Sequence, residues 1–252
     1  MTRRFLPALA LATGLAASHA VAFDLDTMSD SERTAFREEV RAYLLEHPEV
    51  IMEAIEVLER RSAAEQVAND AALVATNAEE IFNDGVSHIA GNPDGDITFV
   101  EFVDYTCGYC KKAFPELQAL IEQDGNIRVI YKEFPILSEM AVLASRFAIS
   151  TQFVAGEEAY GQLHDAMMTM RGQISPTSLV NLADSLGLDG TAIAEGMADP
   201  RVDEVISNNH SLAARLQISG TPSFVMEDQL VRGYVPLDGM VEIVAELREA
   251  KQ

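Results

Sequence analysis

Along this chain of 252 residues, some apolar and polar positions follow the pattern of strands and others the spacing of helices, and these patterns predict its elements. Residues 96–105 and 126–136 are rich in β-branched and aromatic side chains, which is typical of strands buried in a sheet. Near the C-terminus, the runs SFVMED and QLVRGYV predict a hairpin with its turn around Asp228 and Gln229. These segments are the predicted strands of the chain.

Helical spacing governs most of the remaining sequence. KKAFPELQALIEQ, which follows residue 110 directly, has apolar residues at helical intervals. Residues 138–216 repeat helical patterns that break at Gly156, Gly172 and Gly187. A last helix is predicted over PLDGMVEIVAELREA, with Pro236 near its start. A long helical stretch therefore separates the predicted strands into two groups.

A helical segment with an apolar stripe precedes the first predicted strand. Ser29 or Ser31 can cap a helix that runs to about His47, and Pro48 can start the next one. An apolar face of this length has to be buried, either on the following domain of the same chain or against copies of itself, and we favour copies. The stripe consists of Ile51, Ile55, Leu58, Val67, Ala71, Val74, Ala78 and Ile81.

The first 22 residues have the pattern of a secretory signal peptide. Arg3 and Arg4 precede an apolar stretch over residues 5–17, and residues 20–22 form a small-residue cleavage signal. The apolar stretch is too short to span a bilayer comfortably, and no later segment reaches that length without charges. We therefore expect cleavage near Ala22 and export to a compartment in which disulfides persist.

The charge of the chain narrows the range of partners. Acidic residues outnumber basic ones 40 to 18, for a formal net charge of −22, and loss of Arg3 and Arg4 with the signal peptide makes it −24. The negative net charge argues against nucleic acid as a partner, because a protein that binds nucleic acid needs a basic surface. It gives no attraction to an anionic membrane surface and favours basic or unfolded proteins as partners.

The chain contains two cysteines, Cys107 and Cys110. A bridge between them closes too small a loop to restrain the unfolded chain, which disfavours a structural staple. Structural zinc is disfavoured because the mature chain has no histidines paired at a ligand spacing. Covalent haem is excluded because Lys111, not histidine, follows Cys110. The remaining interpretation is a redox-active dithiol.

Cys107 lies where a predicted strand ends and a predicted helix begins. The free N–H groups and the positive dipole end of a helix stabilise a thiolate at this position. Lys111 and Lys112 can add to the effect or point to solvent. We expect Cys107 to be the exposed nucleophile and Cys110, one turn further into the helix, to resolve the mixed disulfide.

CGYC and the later stretch ISGTPSFVM together resemble the thioredoxin superfamily, specifically its DsbA-like exported thiol:disulfide oxidoreductases. The resemblance covers residues 86–252. It implies an α/β thioredoxin fold with a helical insertion at about residues 138–216, preceded here by an N-terminal α-helical stalk. It also implies a periplasmic location, exported proteins with cysteines as substrates, and a redox partner that resets the dithiol. Neither a cofactor nor a metal is implied.

The same resemblance assigns roles to individual residues. Pro222 is expected as a cis-proline that faces the dithiol, and Thr221 before it is expected to offer backbone groups to an extended substrate segment. Glu101 matches the buried acid of the family, which relays the proton of Cys110, with Lys132 as its expected partner; a partly solvated strand residue is the alternative for Glu101. Contacts with substrate are expected from Gly108, Tyr109, Gly220 and Thr221.

Residues 41–59, RAYLLEHPEVIMEAIEVLE, look like the N-terminal oligomerisation segment of a DsbA-like subgroup that includes the copper-sensitivity suppressor C proteins. That segment builds trimers in the subgroup, so the resemblance implies a homo-oligomer. The expected domains are therefore a signal peptide over residues 1–22, a helical oligomerisation segment over 23–85, and a DsbA-like thioredoxin domain over 86–252.

The residues between and opposite the cysteines bear on the direction of exchange. Gly108-Tyr109 and Thr221 tune thiolate hydrogen bonding, and CGYC with Thr-Pro looks like the pairing in exported disulfide isomerases. We therefore favour a disulfide isomerase or reductase over a dithiol oxidase. Copper(I) handling by the reduced dithiol is a third interpretation. HDAMMTM, residues 164–170, is interpreted as core filling rather than as a set of copper ligands.

Overall fold

The computed structural model describes residues 27–251, so the predicted signal peptide lies outside the described residues. The chain divides into two compact units at residues 60 and 61. The described elements are, in order, α1 (Asp30–Glu46), α2 (Glu49–Thr76), α3 (Ala78–Phe82), β1 (His88–Gly91), β2 (Ile97–Val103), α4 (Gly108–Asp124), β3 (Ile127–Glu133), α5 (Glu139–Ala155), α6 (Glu157–Thr169), α7 (Pro176–Ser185), α8 (Gly190–Gly196), α9 (Pro200–Arg215), β4 (Ser223–Met226), β5 (Gln229–Arg232) and α10 (Leu237–Ala250).

The first unit contains α1 and the beginning of α2. Ser29 caps α1 in a capping box, in which its hydroxyl accepts from the Glu32 N–H and the Glu32 carboxylate accepts from the Ser29 N–H at 2.8 Å. Apolar side chains remain exposed along both helices of this unit. They include Tyr43, Leu45, Ile51, Met52, Ile55 and Leu58.

The predicted stripe on the second helix does not run unbroken to its end. Helix α2 stops at Thr76, and α3 begins after Asn77, whose side chain donates to the Leu73 carbonyl at 2.8 Å. Val74 and Ile81 are buried within the second unit, whereas Val67 is exposed. The prediction of one continuous helix through residue 81 was therefore wrong, because an asparagine that bonds back to its own helix ends α2.

The second unit has a five-stranded sheet in the order β1-β3-β2-β4-β5. Strands β2 and β3 pair in parallel, and the other neighbours pair antiparallel. The predicted strands and the closing hairpin are confirmed, but the turn lies at Glu227 and Asp228, one residue before the predicted Asp228 and Gln229, because Gln229 already pairs with Met226. Strand β1 was not predicted; it is a four-residue edge strand with no buried residue.

Side chains alternate between the two faces of the sheet. One face carries Phe99 and Val129 and packs on α4 and α10. The opposite face carries Val100 and Ile130 and packs on α9 together with α3 and the end of α2. Helices α5–α9 form the predicted helical insertion. Helix α4 ends at Asp124 and is followed by Gly125, a C-cap residue in the left-handed conformation.

An ion pair fixes the second part of α2 to the sheet. Asp70 accepts two hydrogen bonds from the Arg232 guanidinium, at 2.8 and 2.9 Å. This contact lowers the pKa of Asp70.

No helix within residues 27–251 combines the length and the apolar character that a bilayer crossing requires.

Candidate active site

Cys107 is the N-cap residue of α4, directly after the loop that leaves β2. Its Sγ accepts from the Cys110 N–H at 3.4 Å and donates to the Thr221 carbonyl at 3.2 Å. Only 5% of Cys107 is exposed, so the expectation of a freely exposed thiol needs correction. The cause is the Thr221 segment, which lies over the sulfur. Of the N–H groups at the helix start, that of Cys110 donates to the sulfur.

Cys110 lies one helical turn further along and is fully buried. Burial raises the pKa of its thiol, and the nearby Glu101 carboxyl raises it further. Both cysteines are present as free thiols. Of the two, Cys107 is therefore the one that a substrate sulfur can reach.

Glu101 lies on β2 beneath the dithiol and is fully buried, so the alternative of a partly solvated residue is wrong. Neither carboxyl oxygen has a hydrogen-bond partner within the described part of the chain. Burial raises the pKa of Glu101 to about 8. An uncharged carboxyl at neutral pH is the form that this site favours.

The expected pairing of Lys132 with Glu101 does not form. Lys132 Nζ donates to Asp84 at 2.5 Å and to the Glu80 carbonyl at 2.8 Å. The register explains why, since Glu101 is the strand partner of Tyr131, and Lys132 is one position further along. Neighbouring residues of a strand point to opposite faces, so the lysine leaves the dithiol face.

The Thr221–Pro222 peptide bond is cis. Thr221 is placed against Cys107 by its carbonyl, whereas its buried hydroxyl oxygen has no partner among residues 27–251. The Gly220 carbonyl accepts from the Ser223 hydroxyl at 2.8 Å. The structure thus brings the Thr221 carbonyl to Cys107, with the cis bond to Pro222 directly after it.

The two residues between the cysteines begin α4. Gly108 has open space where a Cβ would lie, and Tyr109 is 62% exposed. The Tyr109 and Tyr234 rings lie 6.1 Å apart, and Lys112 Nζ lies 4.2 Å from the Tyr234 ring centroid. An aromatic surface therefore flanks one side of Cys107.

Asp104 was not singled out in the sequence, although it organises the loop before Cys107. Its carboxylate is fully buried and accepts from the Thr106 N–H and hydroxyl at 2.8 and 2.7 Å. It also accepts from the N–H groups of Ile136 and Leu137 at 3.0 and 3.1 Å. An aspartate two residues before a threonine at a strand end is the sequence signal for this turn.

Glu133 forms a second buried polar cluster that the sequence did not reveal. Its carboxyl accepts from Tyr105, Tyr160 and Ser145 at 2.7, 2.6 and 2.6 Å. Burial raises the pKa of Glu133 to about 7, although these hydrogen bonds act in the opposite direction. The cluster joins the end of β3 to the active-site loop and to helices α5 and α6.

His164 completes this cluster. Its Nδ1 lies 2.9 Å from the Tyr105 hydroxyl, and because Tyr105 donates to Glu133, Nδ1–H is the donor to Tyr105. Burial lowers the pKa of His164 to about 3, so the ring is neutral. Met167 and Met168 are buried in the same core cluster, where they fill space beside Phe114 and the cysteines.

Comparison with known proteins identifies the family. A family model described as thioredoxin matches residues 83–246, and one described as the copper resistance protein ScsC N-terminal domain matches residues 32–65. Among curated proteins, a sodium/proton antiporter from Salinispora arenicola is 27% identical over 153 residues, and the chain spans only 23% of its length.

Solved structures give the same family. A thioredoxin-like oxidoreductase from Silicibacter pomeroyi is 38% identical (TM-score 0.64, 68% of this chain, 97% of that one). The thiol-disulfide exchange protein alpha-DsbA2 from Wolbachia pipientis is 26% identical (0.68, 73% and 98%). Proteus mirabilis ScsC in a transitional conformation is 29% identical (0.63, 89% and 100%). The predicted resemblance and fold class are confirmed, and the chain belongs to the thioredoxin family, with DsbA-like and ScsC-like oxidoreductases as its relatives.

Proposed function

We propose that this chain is an exported thiol:disulfide oxidoreductase that isomerises or reduces the disulfides of other exported proteins. The observation that carries the proposal is the placement of Cys107 Sγ between the start of α4 and the Thr221 carbonyl, with Cys110 buried beside it. A thiolate at a helix start is stabilised by free N–H groups, which is the chemistry that thiol exchange needs.

The exchange proceeds in two steps, formation of a mixed disulfide and its resolution. The Cys107 thiolate attacks one sulfur of a substrate disulfide, which forms a mixed disulfide and releases the other substrate sulfur as a thiolate. In reduction, the Cys110 thiolate then attacks Cys107 Sγ, which forms the Cys107–Cys110 disulfide and frees the substrate thiolate. In isomerisation, another thiolate of the same substrate attacks the substrate sulfur of the mixed disulfide, which forms a new substrate disulfide and releases Cys107 as a thiolate.

Glu101 acts in the second step. Burial raises the pKa of the Cys110 thiol, so this thiol does not ionise by itself at neutral pH. Because the pKa of Glu101 is about 8, about one tenth of this group is ionised at neutral pH, and this carboxylate form takes the proton as Cys110 attacks and becomes a neutral acid. Thr221 supplies backbone groups beside Cys107, and Gly108, Tyr109 and Gly220 border the surface that an extended substrate segment reaches.

Trapping experiments test the two cysteine roles. Cys107→Ser should abolish all exchange, because no other thiol reaches the substrate. Cys110→Ala should accumulate mixed disulfides that are visible on non-reducing gels and disappear with a reductant. Normal turnover of Cys110→Ala without adducts would show that the roles of nucleophile and resolving thiol are misassigned.

The direction of exchange is tested by refolding a scrambled-disulfide substrate in a glutathione buffer. An isomerase recovers substrate activity faster than the buffer alone. Rapid oxidation of a reduced substrate without such recovery would favour the dithiol oxidase. Gly108-Tyr109 and Thr221 support the isomerase or reductase, because they resemble the pairing in exported isomerases.

We also propose that residues 23–85 make the protein a homo-oligomer, a trimer by analogy with its relatives, and that residues 1–22 direct it to the periplasm. The match of residues 32–65 to the ScsC N-terminal domain and the exposed apolar side chains on α1 and α2 support the oligomer. Light scattering of the protein without residues 1–22 should give a mass several times that of one chain. A monomer would contradict the oligomer.

Copper(I) handling is the second candidate function. The observation in its favour is the match to a domain described as belonging to a copper resistance protein, together with two adjacent free thiols. Titration of the reduced protein with copper(I) against a competing chelator tests it. Affinity no greater than that of an ordinary dithiol would remove this candidate.

A further inference from the structure

The cations of the catalytic unit are distributed unevenly. In residues 62–251, most lysines and arginines have a carboxylate oxygen within 4.0 Å; these are Lys132, Arg146, Arg201, Arg215, Arg232, Arg248 and Lys251. Lys111, Lys112, Arg128 and Arg171 have none among the described residues. Arg128 lies at the start of β3, and the other three are the cations next to the active-site loops.

Lys111 lies in the first turn of α4, four residues after Cys107, and it contacts the chain just before Arg171. Lys111 Nζ donates to the Met170 carbonyl at 3.3 Å, and Arg171 is the next residue along the chain. An ammonium group has three donors, so Lys111 keeps two for a ligand. Arg171 is exposed. In a chain of net charge −22, Lys111 has no carboxylate oxygen within 4.0 Å and therefore forms a local positive site, with Arg171 next in the chain to the residue that it contacts.

A groove of about 480 Å³ lies at this positive site. Its walls include Thr106, which directly precedes Cys107, together with Lys111, Met140, Gln173 and Ile174. None of its lining residues is acidic. Because the groove begins at the residue before the nucleophile, a side chain within a few residues of a bound substrate cysteine reaches it at about 3.3 Å per extended residue.

We propose that this groove is a substrate subsite that selects an acidic residue beside the cysteine attacked by Cys107, with Lys111 of the groove wall as the group that binds its carboxylate and with Arg171, the exposed neighbour of Gly172 in that wall, as a second cation. The proposal rests on the thiol–disulfide exchange proposed above and names the class of segment that is exchanged fastest. Met140 and Ile174 give the groove an apolar wall, which suits the methylene stem of a glutamate better than a short polar side chain.

The alternative role for these cations is to stabilise the sulfur rather than the substrate. The two roles differ in what they change. A cation that acts on the sulfur alters the rate for every substrate equally. A cation that binds a substrate carboxylate alters the ratio of rates between acidic and neutral substrates, and this ratio falls as salt screens the attraction.

The test uses a set of seven-residue peptides with a central cysteine as a mixed disulfide with thiopyridine, and with Glu, Gln or Lys two residues away on both sides. The Cys107 thiolate forms a disulfide with the peptide and releases thiopyridone, which is followed by absorbance. We expect the Glu peptide to react about fivefold faster than the Gln peptide at low ionic strength, and the Lys peptide more slowly than either. In about 0.5 M salt the three rates should converge.

Substitutions of Lys111 and Arg171 test whether these two residues cause the preference for the Glu peptide. Lys111→Gln with Arg171→Gln should reduce the ratio of Glu to Gln rates to about one, and Lys111→Glu with Arg171→Glu should reverse the preference towards the Lys peptide. Lys251→Gln removes the same charge as Lys111→Gln, but Lys251 bonds to the Asp96 carbonyl at the far end of β2 from Cys107. It should leave the ratio unchanged.

Equal rates for the Glu and Gln peptides in the unsubstituted protein would overturn the subsite while leaving exchange intact. A ratio that survives the double Gln substitution, or a uniform slowing of all three peptides, would also overturn it. Failure of every peptide to react would contradict the proposed exchange function itself, so the two failures are distinguishable.

Discussion

Glu101 and Glu133 are two buried glutamates on neighbouring parallel strands, and they have opposite surroundings. Glu101 has no hydrogen-bond partner within the described residues, whereas Glu133 accepts from three hydroxyl groups. The pKa is raised by burial to about 8 for Glu101 and to about 7 for Glu133. Burial alone therefore makes both carboxyls weaker acids, and hydrogen bonding decides how well each carboxylate is tolerated.

The difference separates a reactive group from a structural one. An unpartnered carboxyl beneath Cys110 changes its protonation without breaking any hydrogen bond. Removing the Glu133 side chain, in contrast, would leave the hydroxyls of Tyr105, Tyr160 and Ser145 without an acceptor. The comparison teaches that a buried acid with few contacts is the one available for proton transfer.

The largest expected effect is on Glu133. Glu133→Leu should lower the free energy of unfolding by about 3–5 kcal/mol at pH 5, where the raised pKa of Glu133 costs the folded state little, because three buried hydroxyls lose their acceptor. Denaturant unfolding followed by circular dichroism measures it. Glu133→Gln is the matched control, since its amide oxygen still accepts and the loss should be smaller. A loss below about 1 kcal/mol for Glu133→Leu would break the comparison, because the cluster would then not be structural.

Glu101→Gln should have the opposite effect on stability and increase the free energy of unfolding at high pH. The pKa of Glu101 in the folded protein lies above its unfolded value, so the folded state keeps a proton that the unfolded state loses as pH rises from about 5 to 8. Stability therefore falls with pH in this window. Glu101→Gln should remove much of that slope and increase the free energy of unfolding at pH 8 by on the order of 3 kcal/mol.

The same variant should be a poorer enzyme. Without a proton acceptor beside Cys110, resolution of the mixed disulfide at neutral pH should slow by at least about tenfold. Stopped-flow measurement of thiol release, with unfolding curves at pH 5 and pH 8, checks both effects. A variant that is less stable than the parent at pH 8, or that resolves mixed disulfides at the parent rate, would remove the distinction between the two glutamates.

The smallest effects come from a pair of tyrosines. The Tyr160 hydroxyl donates to Glu133 at 2.6 Å, whereas the buried Tyr131 hydroxyl has no partner in the described chain. Tyr160→Phe should lower the free energy of unfolding by about 1–2 kcal/mol, and Tyr131→Phe should change it by less than about 0.5 kcal/mol. Thermal and denaturant unfolding measure both variants. Equal losses of stability for Tyr160→Phe and Tyr131→Phe would show that the hydroxyl contacts do not distinguish the two sites.

Local patterns gave most of the secondary structure. The strands containing Glu101 and Glu133 have continuous runs of β-branched and aromatic residues, and these runs do not depend on the rest of the fold to be recognised. Strand β1 was missed because His88–Gly91 is short and lies at an edge, so its pattern carries no buried alternation. The break at Asn77 was missed because the stripe continues on both sides of it.

The site was partly predictable for a similar reason. Cys107 and Cys110 stand three positions apart at a strand-to-helix boundary, and this arrangement indicates dithiol chemistry without knowledge of the fold. The partner of Lys132 was not predictable from spacing, because it depends on the register of β2 on β3. A one-residue difference in register decides whether that lysine faces Glu101 or Asp84.

The sequence by itself determined the order of the elements other than β1 and α3 and the pair of thiols, because these depend on residues close together in the chain, and its composition determined the strong negative charge. Only the tertiary structure decided which buried groups have partners. Glu133 meets Tyr105, Tyr160 and Ser145 across up to 28 residues of sequence, and Cys107 meets Thr221 across 114. Contacts over such distances follow from packing and register, which no local pattern encodes.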